Sequence, residues 1–295
     1  MHYKGYEVLE DKNSVIVEGV KDFDPIHTFK CGQCFRWLGE SDGSHTGVAG
    51  GRVANIRYSD GKLVINNADV GDFTGFWFDY LDLGRDYSEI KQRLSQDAVM
   101  KEAILYGGGI RLLKQDIWET LVSFIISANN RIPMIMKVVS AISGAYGEKI
   151  KFNGRVFHTF PHADLLAASS IENLMLCRGG FRCRYILETS KLVAGGGFDP
   201  DMLDRLGTAE ARNMLVKLPG VGSKVADCTL LYSGLKHDVF PTDVWVRRVM
   251  EELYFKHSAT FSEIRRFAEE KFGVLAGFAQ QYLFYYAREN RIGAH

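Results

Sequence analysis

The chain has no run of 18 consecutive apolar residues, no excess of either charge and only five cysteines. The first absence removes a membrane-spanning helix. The densest apolar stretch, Leu121 to Ala128, is broken by Ser123 and Ser127 and is too short to cross a bilayer. The second means that overall charge does not advertise a polyanionic partner, since the net charge is zero. The third removes a disulfide scaffold. Cys31, Cys34, Cys177, Cys183 and Cys228 make an odd count spread over a long chain, which reads as free thiols in a reducing compartment. Cys31 and Cys34 have CxxC spacing, but no second CxxC or HxxxH pair follows to complete a four-ligand zinc site. No cysteine lies beyond Cys228, so a four-cysteine cluster near the C-terminus is excluded. Neither a metal nor another cofactor is expected. The N-terminal segment is acidic and lacks an apolar signal core, so no secretory or Arg-rich leader is expected there. The expected compartment is the cytoplasm of a prokaryote or the nucleus of a eukaryote.

What is present describes an ordinary folded protein. The chain has 295 residues, 46% hydrophobic and 12% aromatic, enough for two or three domains. The charge is unevenly placed: residues 1–97 hold 11 Lys/Arg against 16 Asp/Glu, and residues 98–295 hold 25 against 20. The later part is therefore the positive one. Segments 14–20, 34–40, 52–59 and 62–68 read as strands, rich in Val, Ile and aromatics and separated by Gly-rich or Asp-Gly turns. From about Tyr87 the spacing becomes helical, at 87–94, 98–106, 116–128, 133–146, 163–168, 170–176, 181–194, 201–205, 208–216, 223–234, 243–255, 260–271 and 276–289. Asp116, Thr208 and Ser262 stand where helix caps are expected. The fold class predicted is α+β. An N-terminal antiparallel sheet domain, residues 1–97, precedes an all-helical two-lobed body, residues 98–295, with a helix-hairpin-helix at 208–235.

The most informative run is Leu218 to Asp227, LPGVGSKVAD. Pro219 stops the first helix because its ring removes a donor and clashes with the preceding turn. Gly220 and Gly222 open backbone conformations and clear the approach path. Ser223 is expected to cap the second helix. Such a turn presents backbone N–H groups at a helix N-terminus, a site suited to a phosphate oxygen, and its carbonyls suit a monovalent cation. Lys224 falls in the first turn of the second helix. There it opposes the helix dipole, which favours the neutral amine, and a neutral amine is a nucleophile. The alternative reading of the residue is a simple phosphate-contacting cation. Nineteen residues on, Pro241 closes a loop and Asp243 starts a helix. Alone, Asp243 reads as a cap. Paired with Lys224, it reads as a carboxylate that assists proton transfer and steadies an oxocarbenium-like sugar.

These residues resemble the helix-hairpin-helix DNA glycosylases, which flip a damaged nucleotide into a pocket. Within that superfamily the resemblance is to eukaryote-type 8-oxoguanine DNA glycosylases. It is carried by Gly32-Gln33-Cys34-Phe35-Arg36-Trp37, by SFIISANNRI up to Ile132, by Gly180-Phe181-Arg182-Cys183-Arg184-Tyr185, by Val225-Ala226-Asp227-Cys228 and by Ala276-Gly277-Phe278-Ala279-Gln280, in order over roughly residues 30–290. The resemblance implies a bifunctional glycosylase and AP lyase acting as a monomer on double-stranded DNA containing 8-oxoguanine. Lys224 and Asp243 would be catalytic. Gly32, Gln280, Phe284 and Cys228 would hold the flipped base. Asn129 would fill the vacated stack and Phe181 would wedge beside the opposite base, with Met134, Arg182, Gly220, Gly222 and Trp245 also on the DNA face. Three positions depart from the family. Met134 replaces an arginine that reads the opposite cytosine, Phe181 a tyrosine, and Trp245 a histidine that contacts phosphate. Met134 cannot donate paired hydrogen bonds to a base edge, so relaxed opposite-base preference is expected. Two other readings stay open on residues alone: a hairpin protein that binds DNA without catalysis, and a glycosylase for alkylated purines. Lys224 disfavours the latter, because a base that is already cationic leaves without a nucleophile's help.

Overall fold

The computed structural model describes residues 1–293. Seven strands, β1 (His2–Tyr3), β2 (Tyr6–Asp11), β3 (Ser14–Glu18), β4 (Trp37–Gly39), β5 (His45–Ala49), β6 (Arg52–Ser59) and β7 (Lys62–Asn66), form one antiparallel sheet in the order β1-β2-β3-β7-β6-β5-β4. Alternation drives the central pairs: Val15 and Val17 of β3 face Ile65 and Leu63 of β7, and all four are buried. The buried face packs on Phe73, Trp77 and Phe78 from helical turns between residues 70 and 80. Helical structure thus begins before Tyr87, as it does at Pro25–Lys30.

The sequence reading passed over β1, β2 and β5. All five residues of β5 are buried, so it lacks the alternation of a half-exposed strand. Its Gly47 lies flat on Trp37, where a Cβ would come within 2.3 Å of the indole.

The rest of the described chain is helical, apart from a two-stranded hairpin, β8 (Lys149–Phe152) and β9 (Arg155–His158), which the all-helical expectation did not contain. Two expected caps move by one or two residues. Gly207 rather than Thr208 precedes the Thr208–Leu215 helix, with its N–H held by the Glu210 carboxylate. Thr260 rather than Ser262 caps Phe261–Phe272, because the Thr260 hydroxyl and the Glu263 carboxylate complete a reciprocal capping box. Asp116 caps Ile117–Ser127 as expected.

Two hydrophobic cores result, and the chain crosses between them. Cys31 and Phe35 pack into the helical core, while Leu113 returns to the sheet core. Gln33 sits at the crossing. Its buried amide donates to Thr28 O (2.9 Å) and Arg111 O (2.8 Å) and accepts from Leu113 N–H (2.9 Å). These bonds fix the backbone beside Gly32.

Candidate active site

The Thr208–Leu215 and Ser223–Tyr232 helices form the predicted hairpin. Arg212 and Asp227 clamp them at 2.5 Å, with Asp227 buried. Burial pushes the Asp227 carboxyl above the usual range, and Arg212 opposes that shift. In the turn, Leu218 and Val221 are buried and Pro219 O accepts from the Thr189 hydroxyl at 3.2 Å. The two glycines play different parts. Gly220 has φ +76°, and a Cβ there would lie 2.6 Å from the Tyr185 ring. Gly222 has φ −90° and ψ 179°, open to any residue, and its missing side chain faces open space. Gly222, not Ser223, is the cap, so Lys224 is the second helical residue.

Lys224, Cys228 and Tyr232 stand at four-residue intervals and share one helix face. That face lines a cavity of about 90 Å³, walled also by Gly32, Phe35, Phe124, Ser127, Asn130, Asp243, Gln280 and Phe284 among others. Six sequence-predicted residues from four distant segments therefore meet here: Lys224, Asp243, Gly32, Gln280, Phe284 and Cys228. Lys224 Nζ donates to Ser127 Oγ at 3.0 Å and lies 5.0 Å from the centre of the Phe124 ring. Burial pushes the Cys228 thiol up to about 12 against the pull of the Lys224 charge, so Cys228 stays a neutral thiol. Asp243 caps Val244–Met250, accepting from Val246 N–H at 2.8 Å, and also lines the cavity that holds Lys224.

The pocket walls are aromatic. Phe124 stacks on Tyr232 at 5.1 Å and meets Phe35 edge-on at 5.5 Å. Phe284 meets Trp245 edge-on at 5.1 Å. Gly32 has φ +91°, and a Cβ there would lie 3.0 Å from Phe284 Cε1, so glycine leaves Phe284 its place. Gln280 is 3% exposed, and its Oε1 accepts from the Tyr232 hydroxyl at 3.4 Å. Trp245 thus supports the pocket wall.

Beside the cavity, Asn129 is exposed in the left-handed region (φ +49°), and Met134 and Phe181 are exposed large apolar residues at 44% and 60%. Arg182, expected to face DNA, is half-buried beside them and spends its donors on the loop backbone. Its guanidinium donates to Ala128 O (2.9 Å) and Asn129 O (2.8 Å) and stacks on Phe181. The loop carbonyls at the end of the Ile117–Ser127 helix need donors, and Arg182 is within reach. Ser127, Phe124, Phe35, Asn130 and Tyr232 were missed as pocket residues. The four-residue spacing from Lys224 through Cys228 to Tyr232 carried a signal for the last of these.

Cys31 and Cys34 are both buried, and each thiol donates to a backbone carbonyl, of Thr28 and Phe29. Among the described residues no group of three His, Cys, Asp or Glu is placed to hold a metal, and no helix is long and apolar enough to cross a membrane.

A family model described as 8-oxoguanine DNA glycosylase, N-terminal domain, matches residues 15–121. The chain is 35% identical over 202 residues to a probable N-glycosylase/DNA lyase of Methanothermobacter thermautotrophicus; the match covers 62% of this chain and 64% of that relative, a little under two thirds of its length. Among solved structures it is similar to MBOgg1 in complex with a low affinity DNA ligand, with 50% identity, a TM-score of 0.95 and coverage of 97% of this chain and 99% of that one. It is likewise similar to the Clostridium acetobutylicum 8-oxoguanine glycosylase/lyase in complex with double-stranded DNA containing cytosine opposite 8-oxoguanine, with 43% identity, a TM-score of 0.95 and the same coverage.

Proposed function

Because the chain belongs to the 8-oxoguanine DNA glycosylase/lyase family, we propose that it excises 8-oxoguanine from duplex DNA and then nicks the strand. The observation that carries this reading is the convergence of Lys224 and Asp243 on one cavity with Gly32, Gln280, Phe284 and Cys228. The lesion is flipped into that cavity. The neutral amine of Lys224 attacks C1′, the C1′–N9 bond breaks and the base departs with the electron pair. The attacking nitrogen then carries two protons: one goes to the departing base, and opening of the sugar ring, with a proton passed to O4′ from water, gives a protonated Schiff base that keeps the other. A proton then leaves C2′ and the 3′ phosphate is eliminated, which nicks the strand on that side. Asp243 stabilises the oxocarbenium-like sugar and assists the proton transfers.

In this reading the Gly32 carbonyl accepts from the N7–H that 8-oxoguanine has and guanine lacks, a distinction of about 1–3 kcal/mol. Gln280 reads the Watson–Crick edge, and Cys228 and Phe284 pack on the two ring faces. Asn129 fills the space left in the duplex and Phe181 wedges beside the opposite base. Gly220 and Gly222 bring the hairpin backbone against phosphate. Met134 offers the opposite base a flexible apolar surface with no donor, so excision opposite A, G, C and T should be comparable. Strict dependence on cytosine would refute that part.

Borohydride trapping on an 8-oxoguanine duplex tests the whole. The expected result is a covalent protein–DNA adduct that vanishes in Lys224→Gln. Asp243→Asn should keep DNA affinity and lose most activity. An undiminished adduct in Lys224→Gln, or full activity in Asp243→Asn, overturns the corresponding role. DNA binding with no adduct at all leaves a non-catalytic hairpin protein.

A further inference from the structure

Ser127 is the last residue of the Ile117–Ser127 helix, and only 7% of it is exposed. Its hydroxyl donates to Phe124 O, one turn earlier, at 2.7 Å. A hydroxyl has one hydrogen to give. With that hydrogen committed, Oγ can meet Lys224 only as an acceptor, and Lys224 Nζ donates to it at 3.0 Å. The bond joins residues 97 positions apart, from two helices that pack against each other.

We propose that Ser127 is the positioning residue for the nucleophile: it takes one N–H of the Lys224 amine and turns the remaining face of the nitrogen toward the cavity. The inference rests on the reading of Lys224 as the nucleophile. The amine has a donor N–H in both its charged and neutral states, so the same bond survives deprotonation. In the neutral state the lone pair and the second N–H share the two positions that this bond leaves on the nitrogen. Of the other groups beside the amine, the Phe124 face attracts its charged form only, and the Cys228 sulfur is a weaker acceptor than the Ser127 oxygen. A serine that merely satisfied the Phe124 carbonyl would be indifferent to the lysine.

Single-turnover excision of 8-oxoguanine, affinity for an uncleavable lesion duplex and melting temperature should be measured on wild type, Ser127→Ala, Ser127→Cys, Ser127→Thr and Lys224→Gln. Ser127→Ala should slow excision about tenfold, the factor that one hydrogen bond of typical strength controls. Affinity and melting temperature should stay close to wild type. Ser127→Cys keeps the side-chain volume but offers only a weak sulfur acceptor, so it should be slow as well. Ser127→Thr keeps the oxygen and should recover most of the rate. Wild-type rates in both Ser127→Ala and Ser127→Cys would overturn the proposal. So would a slow Ser127→Thr that melts normally, or a loss confined to affinity. A full adduct in Lys224→Gln would instead overturn the underlying assignment, whatever the serine variants do.

Discussion

Arg182 holds the backbone of Asn129. Its Nη2 donates to Asn129 O at 2.8 Å, its Nε donates to Ala128 O at 2.9 Å, and the guanidinium plane stacks on Phe181 with 4.5 Å to the ring centre. One side chain therefore sets both residues proposed to enter the duplex. Asn129 stands in the left-handed region, which asparagine adopts more readily than most non-glycine residues, and the Arg182 bonds fix its backbone there.

Removing that restraint should cost DNA affinity. Arg182→Ala should weaken binding to a lesion duplex about tenfold, the equivalent of one lost charge-assisted bond. Arg182→Lys should fail to rescue, because an ammonium cannot span two carbonyls as a fork does. Asn129→Ala should add little on the Arg182→Ala background. Fluorescence anisotropy on the single and double variants checks this, and additive losses would mean that Arg182 acts independently of the Asn129 loop.

The turn glycines should separate by mechanism. Gly220→Ala forces a Cβ into the Tyr185 ring at φ +76°, so it should lower both melting temperature and affinity for any duplex. Gly222→Ala meets nothing within 4 Å, so the fold should melt normally and only DNA affinity should fall. If Gly222→Ala binds normally, the DNA backbone does not approach at Gly222.

Much of this was legible because the informative residues are local signals. The hairpin is written in a Pro-Gly turn, and Lys224 and Asp243 lie within 19 residues of each other. The helices show their periods, and Asp116 and Asp243 cap the helices they were read to cap. What escaped depends on contacts between distant segments. Strand β5 is buried on both faces and has no alternation. Hairpin β8–β9 is only four residues per strand. Ser127 looks like any helical serine until Lys224 arrives 97 residues later. Arg182 reads as a DNA-facing cation, yet the carbonyls it satisfies belong to a loop 53 residues earlier.

Acid should destabilise the fold through His237. The ring stacks on Phe278 at 5.1 Å and is largely buried, and burial together with Arg85 lowers its pKa to about 4. The unfolded histidine ionises near 6.5. Between these values the unfolded chain binds the extra proton. The contribution is therefore complete above about pH 6.5 and is lost as pH falls toward 4, at up to about 1.4 kcal/mol per pH unit. Glu119, raised by burial to about 7, has the opposite sign above pH 4.5, so total stability is a poor readout. The comparison of wild type with His237→Gln isolates the histidine. Urea unfolding from pH 7.5 to 4.5 should show the variant losing less stability on acidification. Parallel curves would mean that His237 is not buried as the neutral ring.

Gly32 should distinguish base recognition from sugar chemistry. At φ +91° an alanine is strained, and its Cβ would press on Phe284 at 3.0 Å, on the side of the pocket where the lesion base is proposed to lie. The strain costs about 1–2 kcal/mol, which a folded domain tolerates. Excision of 8-oxoguanine needs the base to enter past Phe284. Cleavage at a pre-formed abasic site needs only the sugar at Lys224. Gly32→Ala should therefore lose at least about tenfold more rate on the 8-oxoguanine duplex than on the abasic duplex. Equal losses on both substrates would place the damage in the fold or in DNA docking. No loss on either would remove Gly32 from the base pocket and leave Gln280 to select the lesion without it.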